Sequence, residues 1–165
     1  MRIVAAFVVA AAAAGCGPKV DLTKGLQVTD VSTGWADKGI VGGQNKLVPS
    51  ITFSLKNVSD KNLNVLDVNA AFHQNGESAD WDSDLVNVAG SEGLDPGATT
   101  RKFTIDSKQG YKSTGDETRA DMLKNSHFID AHVVIFAKYS NTQWTKIGEF
   151  PVTRELLTST QTLIK

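Results

Sequence analysis

The sequence predicts a mainly β fold, an antiparallel β-sandwich of about seven short strands with one short helix, and three observations carry this expectation. Val48–Val58 alternates with a period of two, placing Ile51, Phe53 and Leu55 on one face and Thr52, Ser54 and Lys56 on the other. His132–Tyr139 is apolar on both faces, as a strand with neighbours on both sides must be. Turn signals recur between such runs, among them Asn57–Asn62 and Asp95-Pro96-Gly97.

In chain order, Leu26–Val31 reads as the first strand, with Leu26 and Val28 alternating against Gln27 and Thr29. Trp35 then neighbours the turn-rich Asp37–Asn45, where Gly39, Gly42 and Gly43 mark a hairpin or loop. After Val48–Val58 and its turn, Leu63–Phe72 resumes strand character through Leu66, Val68, Ala70 and Phe72. Leu63 and Val65 stand in the opposite phase, and a one-residue slip inverts the faces of a strand, so a bulge is expected near Leu66. Leu85–Val88 reads as a short edge strand, and Thr99–Ile105 as a strand with Phe103 and Ile105 inward.

Thr114-Gly-Asp-Glu117 has the form of a capping box and predicts a short helix across Asp116–Lys124, with Met122 and Leu123 inward and Asn125 closing it. His132–Tyr139 should lie in mid-sheet, and Trp144–Phe150 should form the last strand, with Trp144 in the core or half-buried. Thr153–Leu163 fits helix or strand equally.

The chain opens with Met1-Arg2 and an unbroken apolar run, Ile3–Ala14, before Gly15-Cys16. A bilayer-spanning helix needs about 20 apolar residues, so this shorter run reads as a cleavable export signal. Ala13-Ala14-Gly15-Cys16 resembles a bacterial lipobox, and Cys16 is the one cysteine in the chain. The resemblance implies a bacterial lipoprotein whose Cys16 becomes the acylated N-terminus, anchored in a membrane of the cell envelope. Gly17, rather than aspartate, after the cysteine implies the outer membrane where the source has one. The expected organisation is a signal over 1–15, a lipidated N-terminus and tether over 16–25, the sandwich over 26–153 and a C-terminal tail over 154–165.

With Arg2 removed, 16 basic residues face 18 acidic ones without a long run of either sign, which argues against a nucleic-acid partner. With Cys16 committed to lipid, core packing has to stabilise the fold without a disulfide.

A second resemblance rests on Lys56-Asn57-Val58-Ser59-Asp60 leading into Leu63 and Val65–Phe72, and on Leu94-Asp95-Pro96-Gly97 before a strand. This layout is similar to the immunoglobulin-like bacterial envelope domains of the FxLYD type, over about Val48–Ile105. It implies an immunoglobulin-like sandwich in an envelope setting and assigns no chemistry.

Asp80-Trp81-Asp82-Ser83-Asp84 places three carboxylates at alternate positions, a spacing by which a loop can present oxygen ligands to calcium. The EF-hand pattern fails, since Leu85 and Ser91 stand where glycine and a bidentate glutamate are needed. Trp81, in polar surroundings, is a candidate platform for a sugar or peptide, against the alternative of a loop aromatic folded onto the sandwich. The spacing of His73, His127 and His132 matches no zinc motif. No serine elbow accompanies the lone cysteine, and Gly39-Ile-Val-Gly42-Gly43 lacks the spacing of a dinucleotide fingerprint. The expectation is therefore a non-catalytic envelope module without cofactor or bound metal, held at the membrane through Cys16 and meeting a protein partner. The alternative is a small-ligand-binding protein, for sugar or calcium, or a hydrolase, using Asp80, Trp81, Asp82 and Asp84.

Overall fold

The computed structural model describes residues 19–77, 79–114 and 116–157. The signal segment, Cys16 and the tail beyond residue 157 lie outside the described residues.

Eight strands form two four-stranded antiparallel sheets. In the first, β1 (Leu26–Val41) pairs with β2 (Gln44–Asn57), and the other side of β2 pairs with β5 (Phe103–Asp106) and β6 (Tyr111–Thr114). The second runs β4 (Asp82–Ala89), β3 (Leu66–Gln74), β7 (Ala131–Tyr139), β8 (Thr145–Pro151). Two strands in one sheet, two in the other, a return and a final hairpin give the immunoglobulin-like Greek-key order. The expected fold class therefore holds, with eight strands and two short helices among the described residues, the helices being α1 (Leu22–Gly25) and α2 (Arg119–Lys124).

The inner face of β2 is as expected, with Ile51, Phe53 and Leu55 completely buried, while on the other face Lys56 is exposed, Thr52 half-buried and Ser54 buried. β7 lies between β3 and β8, with Val133, Ile135 and Ala137 wholly buried, as its two apolar faces require. β1 corrects the expectation, since it runs past Val31 to Val41, and Trp35 lies inside it and is fully buried. Register shifts between Thr29 and Ser32 and between Asp37 and Ile40 interrupt the alternation, which hides the strand from a period-two reading. Gly42 and Gly43, at φ 61° and 79°, form the two-residue turn into β2. Two successive positive φ values match the right-handed twist of the flanking strands, so two glycines suit this turn.

The slip expected near Leu66 is present as a shift in the β3–β4 register between Leu66 and Asp67, beside Val65 at φ 50°. α2 starts one turn later than predicted. Thr118 is its N-cap, accepting the N–H of Asp121 on its hydroxyl and donating to the Asp121 carboxylate at 2.6 Å. Thr114 belongs to β6 instead, and the Glu117 carboxylate accepts a hydrogen bond from Asn125 Nδ2 at 3.0 Å. Met122 and Leu123 are buried, and Asn125 ends the helix, as predicted. Trp144 precedes β8 and is 40% exposed, its ring 4.8 Å from Lys138 Nζ, so it is not a core residue.

The segment expected as a tether is packed onto the domain from Val20 onward. Leu22 is buried in the main core, and the Val20 N–H donates to the Tyr139 hydroxyl at 2.5 Å. Beyond β8, Leu156 bridges Trp35 in parallel, and the Leu157 N–H donates to the Trp35 carbonyl. Gly34 permits this approach, because a Cβ there would lie 2.7 Å from Leu157.

The main core fills the space between the sheets, with Phe53, Leu55, Val68, Phe72 and Ile135 among its fully buried members. A second cluster, built on Trp35, Leu47, Met122 and Phe128, closes the end where α2 sits. The opposite end carries the N-terminal segment, the 58–65 and 90–102 connections and the β7–β8 turn; we call it the N-terminal end, and the end at α2 the distal end.

Candidate functional site

Asp80, Asp82 and Asp84 do not converge. Asp82 and Asp84 lie in β4 on the same face as Val86 and Val88, which pack against the main core. Asp82 accepts hydrogen bonds from the Ser107 hydroxyl at 3.1 Å and from the Lys108 N–H. It thereby ties β4 in one sheet to the segment after β5 in the other. Burial pushes its pKa up, but these two donors outweigh that and hold the carboxyl below its ordinary value. Asp84 pairs with Lys108 Nζ at 3.6 Å, and Asp80 with His73 Nε2 at 3.5 Å. Asp82 and Asp84 thus share Lys108, through its backbone N–H and its ammonium group, while Asp80 pairs apart from them with His73. Among the described residues, no three His, Cys, Asp or Glu side chains are grouped as metal ligands.

Trp81 is half-buried and packs on the distal cluster, with ring centroids 6.4 Å apart from Trp35. Its backbone N–H donates to Phe72 at 2.7 Å. One edge lines a hollow of about 200 Å³ with Gln74, Glu77, Ala79 and Asp80. This is the arrangement of an aromatic folded onto the sandwich, with a polar hollow at its rim.

The structure brings together two residues that the sequence does not connect. His73 and His132 are opposed in the β3–β7 register and stack with centroids 5.0 Å apart and planes 12° apart. Asp80 flanks one ring; Glu149 lies 3.7 Å from His132 Nε2, and Asn75 Oδ1 lies 3.0 Å from His132 Nδ1. A hydrogen bond from Lys146 holds the Glu149 carboxyl below its ordinary value, helped by both imidazoles. The signal for this pair was a strand register, which only the pairing of distant segments supplies.

A hollow of about 570 Å³ lies at the distal end between α2 and the chain after β8. Ala120, Leu123 and Leu156 line it, with Lys124 and Arg154 at the rim. Arg154 is held in place by two hydrogen bonds to Asp130, at 2.5 and 3.1 Å, and by one to the Phe128 carbonyl. The guanidinium donor lowers the pKa of Asp130. The lining is mostly apolar and the Arg154 charge is already answered by Asp130, a surface that suits an apolar side chain.

At the N-terminal end, the segments behind the FxLYD resemblance meet. Asn57, fully buried, donates through Nδ2 to the carbonyls of Lys61 and Leu94 at 2.7 Å and accepts from the Ser59 N–H and hydroxyl on Oδ1. The Gly97 N–H closes the contact on the Asn57 carbonyl.

Fold and site define an antiparallel immunoglobulin-like sandwich with a groove at one end. No family model matches the sequence, and no curated protein matches it. A solved structure described as "X-ray structure of Northeast Structural Genomics Consortium target SoR45" is similar at 13% identity and a TM-score of 0.46, over 87% of this chain and 95% of that one.

Proposed function

We propose that the protein is a membrane-anchored cell-envelope lipoprotein, acylated at Cys16, that works as a non-catalytic binding or scaffolding module for a protein partner. The observation that supports this reading most is the polarity of the domain. The segment leading from Cys16 is clamped into one end through Leu22 and Val20, while the apolar groove beside α2 opens at the other. A lipid at one end and a groove at the opposite end turn the groove toward whatever faces the membrane surface. The rival use of Asp80, Trp81, Asp82 and Asp84 for sugar or calcium gains less support, because Asp82 and Asp84 are engaged by Ser107 and Lys108, Asp80 by His73, and Trp81 packs on Trp35.

Two measurements test the proposal. Intact mass of the protein from membranes should exceed that of the unmodified chain starting at Cys16 by acyl chains, and Cys16→Ser should remove the increment. A photo-crosslinking residue at Ala120 should capture a protein in the envelope, and Leu156→Glu should abolish that capture. Equal capture from a probe at Thr104, in the middle of β5 and away from the groove, would sink the groove as the recognition surface.

A further inference from the structure

We propose that the N-terminal end of the sandwich is itself a membrane-contact face, resting on the phospholipid headgroup layer with Trp144, Val58 and Val65 at the interface. The inference rests on acylation of Cys16 and goes beyond it, since a tether alone would leave the domain free above the membrane.

Reach is the first argument. Only Gly17 and Pro18 separate Cys16 from Lys19, and at no more than about 3.6 Å per residue Cys16 lies within roughly 11 Å of Lys19. The chain beyond Lys19 has no slack, because the Val20 N–H is bonded to Tyr139 and Leu22 is buried. A headgroup layer is about 6 Å thick per leaflet, so the N-terminal end meets it once the lipid is inserted.

The second argument is what that end displays. Val58, Val65 and Trp144 are 40%, 43% and 40% exposed, three of the eight large apolar side chains so open to solvent among the described residues. All three belong to connections at the one end where β2 finishes, β3 starts and β8 starts. Val65 is held at φ 50°, a left-handed conformation that a β-branched residue resists, while 43% of it stays exposed. Ser140, also left-handed at φ 47°, donates its N–H to the carbonyls of Asn64 and Val65, fixing the Trp144 turn against Val65. Strain spent on an exposed apolar side chain points to a contact outside the chain.

Charge is the third argument. Lys138 sits over the Trp144 ring, which joins a cation to an aromatic of the kind that settles at the membrane interface. The hollow beside α1, about 380 Å³, is lined by Lys19, Lys24 and Lys61 with Asp21 and Asp60, and Lys24 pairs with Asp21 at 3.9 Å, which leaves an excess of one positive charge toward anionic headgroups.

The test uses the acylated full-length protein in vesicles of phosphatidylethanolamine and phosphatidylglycerol, with and without brominated phospholipid. Bromine should quench part of the tryptophan emission of the wild type. Trp144→Phe should remove that quenching, and Trp81→Phe should retain it. Val65→Asn, which suits the left-handed backbone, should reduce the quenching while raising Tm by about 2–4 °C. Equal emission in both vesicle types, from protein whose mass shows its acyl chains, would overturn the proposal. An unchanged or lower Tm for Val65→Asn would remove the strain argument. A mass without acyl chains is a separate failure, that of the anchor reading, and the contact face falls with it.

Discussion

The two ends of the sandwich are closed by opposite chemistries. At the distal end, Trp35 meets Phe128 edge-on with ring centroids 4.5 Å apart, Tyr111 leans on Phe128, and α2 adds Met122 and Leu123. At the N-terminal end, Asn57 and the backbone of Ser59, Lys61, Leu94 and Gly97 form a polar knot around one buried amide. Both solve the same problem, since an open sandwich exposes its core wherever strands stop. The aromatic plug does so by volume and dispersion, the polar knot by leaving no donor or acceptor unpaired. Mutations should therefore fail differently at the two ends: by cavity at one, by orphaned hydrogen-bonding groups at the other.

The largest effect is expected at the plug. Trp35→Ala empties a fully buried position and should lower unfolding free energy by about 3–5 kcal/mol in a denaturant titration. Asn57→Ala should cost about 2–3 kcal/mol, because the Lys61 and Leu94 carbonyls each lose a donor in a buried site. The two changes share no partner, so the double variant should be additive to within about 0.5 kcal/mol, and a larger coupling would show that the ends are not independent.

A smaller loss, about 1 kcal/mol, is expected of Asp82→Asn at neutral pH, since the site is only partly shielded from solvent. The folded-state pKa of Asp82 lies below its ordinary value, so its contribution is present above the unfolded pKa, near 4, and is lost as pH falls through the folded value. Wild type and variant should differ at pH 7 and converge in acid; a gap that persists at low pH would refute the charged bond to Ser107 and Lys108. The smallest effect is none. Millimolar calcium should leave Tm unchanged, because Asp80 faces His73 while Asp82 and Asp84 are already engaged by Ser107 and Lys108, and a rise of several degrees would restore the acidic segment as a ligand site.

What was legible in the sequence follows from where the information lies. β2 and β7 were legible because burial on one face or both is written directly into residue order. The far half of β1 was not, since Asp30 and Gly39 interrupt the alternation with positive φ at two register shifts. The sequence points to Thr114 with Glu117 for the start of α2, whereas the structure caps the helix with Thr118 and Asp121. The ladder joining Tyr111–Thr114 to Gln44–Leu47 decides between them, and a local cap signal does not contain that partner. The acidic segment shows the same limit. Its alternate spacing, which suits ligands around an ion, is also the period of a strand, and β4 uses it to turn Asp82 and Asp84 inward with Val86 and Val88. The His73–His132 stack and the groove beside α2 arise only from pairing and packing of segments distant in sequence.

The register of β3 against β7 also governs the order in which the molecule can assemble. It joins Leu66–Gln74 to Ala131–Tyr139, and no second sheet with an interior exists until the later segment is available. The β1–β2 hairpin can form early, yet its core face, with Ile51, Phe53 and Leu55, has nothing to cover it until then. Such non-local pairing makes folding slow, on the scale of milliseconds to seconds. For a chain that threads through a membrane from its N-terminus, as proposed above, that delay keeps the polypeptide open in transit and postpones closure until nearly all of it has crossed.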